Sequence, residues 1–371
     1  MNANELIKEN QLRNNFEMMQ GKMDLKSTPP YVTIGAHYKC NAHCTFCLGG
    51  EFPKFNLDIY KKLFESKLSN VLRNAVNVGF CGMGEILLLP EIEDFIDYVN
   101  DTIPSASKVF TTNGIALNSR LCDKLSEGNY ALLISLHAAN NMLHRKLTGT
   151  YMYDEIIENI KYLSSLKSKY SQLHLNLIFL MTTLNIENLP EYVRLGKTLG
   201  ADRITCSYLT IFEPEQVKLS CYFMKERTEE IIKEAVDIAQ RIGIELILPP
   251  RFNQPAGEKD KNHFCQDPWG FFYVETQGSV NPCCYAGNHI GYLNKSDFES
   301  IWNGNGYKRL RKGIVSGSVY SWCKYCCKFD PDNINDIRSH ITFRPETQQK
   351  ILNYLREHKN EYDVSEKELQ I

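Results

Sequence analysis

Tyr31-Val32-Thr33-Ile34-Gly35-Ala36-His37-Tyr38-Lys39-Cys40-Asn41-Ala42-His43-Cys44-Thr45-Phe46-Cys47 is the stretch on which the fold turns. It follows Pro29-Pro30, and a double proline stops a helix and starts extended chain. The β-rich run after it predicts a strand over 31–36. The thiols of Cys40, Cys44 and Cys47 come immediately after that strand. Outward from here the pattern repeats. Short β-rich runs at 75–81, 108–111, 131–136, 173–181 and 203–209 alternate with helical apolar spacing, as over Leu57–Leu68, Asp154–Leu166 and Thr228–Ile242. Strand and helix alternating in this way predict an α/β fold on a parallel sheet, curled or open.

Composition bounds the rest. Apolar residues make up 43% of the 371 and charged residues 23%, an ordinary globular balance able to bury a core without staples. At about 150 residues per domain, two domains are expected. Lys and Arg number 42 and Asp and Glu 44, leaving a formal charge of −2, which argues against nucleic acid or an anionic membrane as a general partner. No run approaches the roughly 18 apolar residues of a membrane span, and the N-terminus has no apolar secretory core. A cytoplasmic protein without a membrane partner is expected. The 13 cysteines are clustered: three in Cys40–Cys47, six in Cys265–Cys327, and Cys81, Cys122, Cys206 and Cys221 apart. An odd count in a large chain without a signal peptide argues against a disulfide framework and for metal or redox use.

Four segments are expected. Residues 1–30 form a helical N-terminal extension and 31–250 the strand–helix body. A polar, turn-rich linker over 251–262 opens a small α+β extension, 251–342. There Phe271–Glu275 and the chain from Ser279 read as a hairpin around Gly278, and short helices follow near 296–302 and 307–314. Residues 343–371 form a last helix, near 344–358, and a charged, frayed tail.

The thiols carry the chemistry. Three thiolates in a loop at the C-terminal end of a barrel strand could hold three irons of a four-iron cluster, leaving the fourth iron open; a structural zinc completed by His43 or a distant residue fits the same spacing. In the second set, Cys323-x2-Cys326 is a chelating pair, and Cys265 and Cys283 flank the hairpin and could meet across its open end. Four thiolates suit zinc or an iron–sulfur cluster alike.

Cys40-x3-Cys44-x2-Cys47 resembles the cluster motif of the radical S-adenosylmethionine (radical SAM) enzymes. Phe46 occupies the aromatic position that in this family lies near the adenine. Gly82-Met83-Gly84-Glu85 resembles the family's GGE turn, which offers backbone groups and a carboxylate to the SAM ammonium, with Met83 in place of the usual glycine. Thr112-Asn113-Gly114 ends the third strand as in many relatives, and Ser135 and Arg145 match positions that contact the ribose and the SAM carboxylate. The resemblance covers 31–245 and implies a partial (βα)6 TIM-type barrel. Cys265-Gln266-Asp267-Pro268-Trp269, then Gly278 to Cys284, then Cys323 to Cys326 resemble the SPASM/Twitch extension that carries auxiliary [4Fe-4S] clusters. With no cysteine beyond Cys327, the one-cluster form is implied, with Cys265, Cys283, Cys323 and Cys326 as ligands and Cys284 or Cys327 as possible substitutes.

The resemblance implies a SAM-binding [4Fe-4S] cluster, SAM, one auxiliary [4Fe-4S] cluster, and an external one-electron reductant such as flavodoxin or ferredoxin. The reaction it implies is hydrogen abstraction by a 5′-deoxyadenosyl radical. The expected outcome is oxidation, with the auxiliary cluster as electron acceptor. Epimerisation is the alternative, with Cys221, in the loop after the sixth strand, or Cys206, within that strand, returning a hydrogen. About 30 residues precede the barrel, too few for a leader-binding domain. A small sugar- or aminocyclitol-like substrate is therefore expected over a peptide of the ribosomally made, modified kind. The rival class is a zinc-bound scaffold without turnover.

Overall fold

A computed structural model describes residues 2–49, 53–253, 265–284 and 289–370. Seven strands run parallel in chain order: β1 (Tyr31–Gly35), β2 (Asn77–Cys81), β3 (Ser107–Thr112), β4 (Tyr130–Ser135), β5 (His174–Met181), β6 (Arg203–Tyr208) and β7 (Glu245–Ile247). The six expected strands are all present, and β7 adds a seventh, too short to leave a periodic signal in the sequence. Register aligns one apolar row across the sheet, with Ile34 opposite Phe80, Phe80 opposite Phe110, Phe110 opposite Leu132 and Leu132 opposite Leu175. Alternation along each strand puts this row on one side. Phe80 meets Phe95 of the helix Ile92–Thr102 with ring centroids 5.2 Å apart, and Phe179 meets Tyr192 of the helix Leu189–Thr198 at 4.7 Å. The row therefore faces the helices, and the intervening, less buried positions face the cavity.

The hairpin of the C-terminal extension continues this same sheet. β8 (Phe271–Val274) lies parallel to β1, Tyr31 opposite Phe271, and β9 (Ser279–Asn281) and β10 (Gly291–Tyr292) follow antiparallel. The resulting order is β10-β9-β8-β1-β2-β3-β4-β5-β6-β7. Gly278 takes φ +81° in the turn, as the hairpin reading requires. From residue 254 onward, the linker expected over 251–262 lies outside the described residues.

The N-terminal helix, Ala3–Met19, is stitched to this extension. Asn14 donates to the Trp269 carbonyl at 2.6 Å, and Trp269 Nε1 donates to the Lys22 carbonyl at 2.9 Å. Fully buried Arg311 donates to the Pro268 and Met23 carbonyls at 2.9 and 2.7 Å. The expected frayed tail is a correction. After the helix Pro345–Glu357 the chain packs down: Leu369 is buried, the Tyr222 hydroxyl donates to Glu368, and Arg338 donates to the Gln370 carbonyl at 2.6 Å. Charged composition alone concealed these long-range partners.

Candidate active site at the strand ends

The loop 40–47 leaves the C-terminal end of β1 and is pinned by a helix end. The last carbonyls of the helix Asn141–Thr148 have no intrahelical partner. Thr148 accepts from His43 N–H and Leu147 from Thr45 N–H, both at 2.9 Å. Burial pushes the Cys44 thiol up to about 12, and Cys47 and Cys40 push it further in the same direction, so the three sulfurs lie within reach of one another's charge. Asn113, expected near the cofactor, donates through Nδ2 to Cys40 Sγ at 3.7 Å and to Asn41 Oδ1 at 2.8 Å. Gly49 N–H donates to Cys47 Sγ at 3.4 Å.

The turn 82–84 lies directly on the stem of this loop. Tyr38 N–H donates to the Met83 carbonyl and Glu85 N–H to the Lys39 carbonyl, each at 3.1 Å. A Cβ on Gly82 would come within 2.9 Å of Ala36 C and His37 N, and one on Gly84, at φ +118°, within 1.9 Å of Tyr38 O. Only glycine permits that approach. Glu85, expected to face the cofactor, closes the turn. Its carboxylate is buried and accepts from Leu87 N–H at 3.1 Å and Asn113 N–H at 2.6 Å. Burial raises its pKa against the opposing pull of those bonds. These two bonds brace the end of β2 to the end of β3 and fix the carboxylate beside the turn.

Phe46 meets His137 edge to face at 5.1 Å. Ser135 closes β4 on the cavity-facing side. Arg145 is exposed on its helix, with its guanidinium 3.8 Å over the Tyr151 ring and hydrogen-bonded to that hydroxyl. Cys206 is a second correction. It shares the side of Ile204, which packs against Gly196 of the helix Leu189–Thr198, so strand alternation turns its thiol away from the cavity. Cys221 is buried, its neighbours including Thr228 and Tyr208, and burial pushes its thiol up to about 12.

The second thiol set gathers around Cys326. Cys323 and Cys265 are each pushed up to about 12, foremost by burial and in part by Cys326. Cys284 is likewise raised, by burial first, and feels Cys326 and the Lys328–Asp267 pair, whose Nζ and carboxylate lie 2.8 Å apart. Cys283 lies beside buried Tyr307, and Cys327 beside Ser339. Among the described residues, no three His, Cys, Asp or Glu side chains gather round a point that one ion could fill. Both all-thiol sets suit an iron–sulfur cluster, in which each iron takes its own thiolate.

Sequence reading missed three residues. His137 follows β4 with φ +60°, a backbone conformation uncommon outside glycine, and its Nδ1 accepts from Leu180 N–H at 3.1 Å. His37 Nε2 and a Glu275 carboxylate oxygen are hydrogen-bonded between the thiol-loop stem and the end of β8. A cleft of about 440 Å³ lined by Val76, Asn77, Ser105, Ser107, Asn129 and His174 lies at the opposite, N-terminal ends of the strands, away from these groups.

Residues 36–196 match the family model described as the radical SAM superfamily, and residues 265–327 match that of the SPASM iron–sulfur cluster-binding domain. Those domains imply SAM with a [4Fe-4S] cluster and auxiliary iron–sulfur clustering, respectively. A probable GTP 3′,8-cyclase of Sulfurisphaera tokodaii is 29% identical over 212 residues, 55% of this chain and 63% of that protein. The mycofactocin maturase MftC of Mycobacterium tuberculosis is 23% identical over 179 residues, 48% of this chain and 44% of that protein. The match thus spans less than two thirds of either relative. The structure of Streptococcus suis SuiB bound to precursor peptide SuiA shares the fold, with a TM-score of 0.60 at 15% identity over 81% of this chain and 70% of that one. Among the described residues no helix is long and apolar enough to cross a membrane.

Proposed function

We propose, for a chain that belongs to the radical SAM superfamily and carries a SPASM cluster-binding domain, that it is an enzyme oxidising a neutral polar substrate at an unactivated carbon. The observation that carries the substrate class is the cavity-facing side of the sheet. Towards the catalytic ends of β3–β6 its side chains include Thr111, Ser135, Thr205 and Ser207, with Leu133, Ile178 and Leu180 among them and no charged group. Deeper on the same side, level with Leu133 and Arg203, Asn176 Oδ1 is buried without a hydrogen-bond partner. Hydroxyls and amides suit the hydroxyls of a sugar or aminocyclitol, and an orphaned acceptor suits a donor from the ligand.

When bound, a reduced [4Fe-4S] cluster and SAM together supply a 5′-deoxyadenosyl radical able to take a hydrogen atom from such a carbon. The chain's own part is positional. Helix-end carbonyls fix the thiol loop, the glycine turn lies against its stem, and apolar Leu133, Ile178 and Leu180 help keep water from the cavity. Oxidation is favoured over epimerisation because Cys206 faces the helices and Cys221 is buried. We assign one auxiliary [4Fe-4S] cluster to Cys265, Cys323, Cys326 and one of Cys283 and Cys284, and a flavodoxin or ferredoxin as reductant. A peptide substrate is the second reading, favoured by the fold shared with peptide-bound SuiB.

Anaerobic reconstitution with dithionite and SAM tests the proposal. About eight irons per chain and release of 5′-deoxyadenosine are expected. Replacing Cys40, Cys44 and Cys47 by Ala should remove the product and about four irons. Absence of 5′-deoxyadenosine with both clusters loaded would refute the reading, and a colourless, zinc-loaded protein would favour a scaffold.

A further inference from the structure

A chain of polar contacts runs from the stem of the thiol loop into the C-terminal extension. His37 Nδ1 accepts from Met83 N–H at 2.9 Å, which leaves the ring proton on Nε2, paired with Glu275 Oε2. Glu275 Oε1 accepts from Asn281 Nδ2 at 3.1 Å, and Asn281 Oδ1 meets His289 Nδ1 at 2.6 Å. Thr276 Oγ1 donates to the Gly35 carbonyl at 2.5 Å. The fit is close: a Cβ on Gly35 would lie 2.6 Å from Glu275 Oε2 and 3.2 Å from His37 Nε2. Burial works to raise the Glu275 carboxyl, but His37, Tyr273 and His289 outweigh it and hold the group below the usual carboxylate range. Four segments therefore meet in one chain of polar contacts: the end of β1, the turn after β2, the end of β8, and β9 with the residues before β10.

We infer that His37 and Glu275 are a positioning pair through which the C-terminal extension sets the glycine turn at 82–84, and with it the affinity for SAM; this rests on the radical SAM reading above. Stability alone is a weak reason for such a pair. A largely buried carboxylate held by a neutral imidazole N–H gains little net stability over apolar packing, because desolvation offsets the bond, and the best-attested use of such buried polar contacts is to fix one arrangement among several. Here it fixes the ring orientation and so the acceptor offered to Met83 N–H. Without Glu275 the Nε2 side of the ring loses its acceptor, the orientation of Nδ1 towards Met83 N–H is held less firmly, and so is the registration of the turn against the thiol loop.

The experiment measures SAM affinity of the anaerobically reconstituted full chain, by equilibrium dialysis and by the change that SAM produces in the electron paramagnetic resonance signal of the reduced first cluster. Iron content and thermal unfolding are measured alongside. Glu275→Ala should weaken SAM binding about tenfold or more, the scale of one lost charge-assisted hydrogen bond, at wild-type iron content. Glu275→Gln, whose amide oxygen still accepts from Nε2, should stay within about threefold. His37→Asn keeps an acceptor near Met83 but nothing at the Nε2 position, and should resemble Glu275→Ala. Wild-type SAM affinity in Glu275→Ala and His37→Asn with clusters loaded overturns the inference, and so does loss of iron and fold in both, which would make the pair structural. A wild-type chain that binds no SAM overturns the radical SAM reading itself.

Discussion

Gly84→Ala tests how the thiol loop is held. At φ +118° an L-residue is strained by about 1–3 kcal/mol. The new Cβ would also stand 1.9 Å from Tyr38 O, so that carbonyl must back away by more than about 1 Å. Such a shift breaks the Tyr38-to-Met83 and Glu85-to-Lys39 backbone bonds, now 3.1 Å each, at roughly 0.5–1.5 kcal/mol apiece. The expected loss is roughly 2–6 kcal/mol, or about 3–8 °C in Tm for a chain of this size. Gly243→Ala is the matched control. Its φ is +67°, but nothing lies within 4 Å of the new Cβ, so only the backbone penalty of about 1 kcal/mol applies. Thermal unfolding and iron analysis after reconstitution read both variants. Gly84→Ala should melt several degrees lower than Gly243→Ala and hold less iron in the first thiol set. Equal melting within about 1 °C, with full iron in both, would refute the claim that backbone contact between turn and stem organises the site.

Cys206→Ala should lose about 1 kcal/mol of packing and leave 5′-deoxyadenosine release unchanged, because its thiol faces the helices; a stereochemical change in the product would count against that placement. Glu368 links the tail to the body. Burial alone would raise its pKa, but bonds from Ser365, the Tyr222 hydroxyl and Ile337 N–H outweigh burial and lower it. A carboxyl lowered in the folded state stabilises above its ordinary pKa, and that contribution fades as pH falls through the ordinary value of 4.5 and below. Glu368→Gln should therefore lower Tm at pH 7 and flatten its decline over that acid range, as followed by thermal unfolding across pH.

The strands of the body were legible because each combines β-rich composition with local punctuation, and Pro29-Pro30 marks the first of them. The thiol loop was legible for the same reason: its motif is contiguous. What failed was non-local. β8 pairs with β1 about 240 residues earlier, and no local pattern encodes that choice of neighbour. The bonds that Glu85 accepts from Leu87 and Asn113 N–H were likewise invisible in the motif it resembles. Parity of Cys206 needed the register of β6, which burial on both faces of a parallel sheet hides in sequence. His37 and Glu275 each look like an ordinary ionisable residue until the fold closes the gap of 238 residues between them.

The continuous sheet has a consequence for how the two thiol sets relate. β1 and β8 run parallel in register from Tyr31 opposite Phe271 to Ile34 opposite Val274. The next residue on each side is Gly35 and Glu275, and the Glu275 Cα lies 3.1 Å from where a Gly35 Cβ would stand. From that point one chain reaches Cys40 in five residues, and the other passes a tight turn to Cys283 in eight. Sheet register, not the linker between the two domains, therefore sets the spacing of the thiol sets. A slip of one residue in that pairing would turn every side chain of β8 to the opposite face. It would take Tyr273 off the cavity side and Glu275 away from His37. A hydrogen bond from Thr276 Oγ1 to the Gly35 carbonyl, at 2.5 Å, guards that register, and Ala36 N–H to the Cys81 carbonyl, at 2.9 Å, ties the same strand end to β2. A domain joined to the barrel by a linker alone would hold its thiols at a variable distance, whereas one joined through the first strand starts both thiol-bearing segments from one fixed point of the sheet.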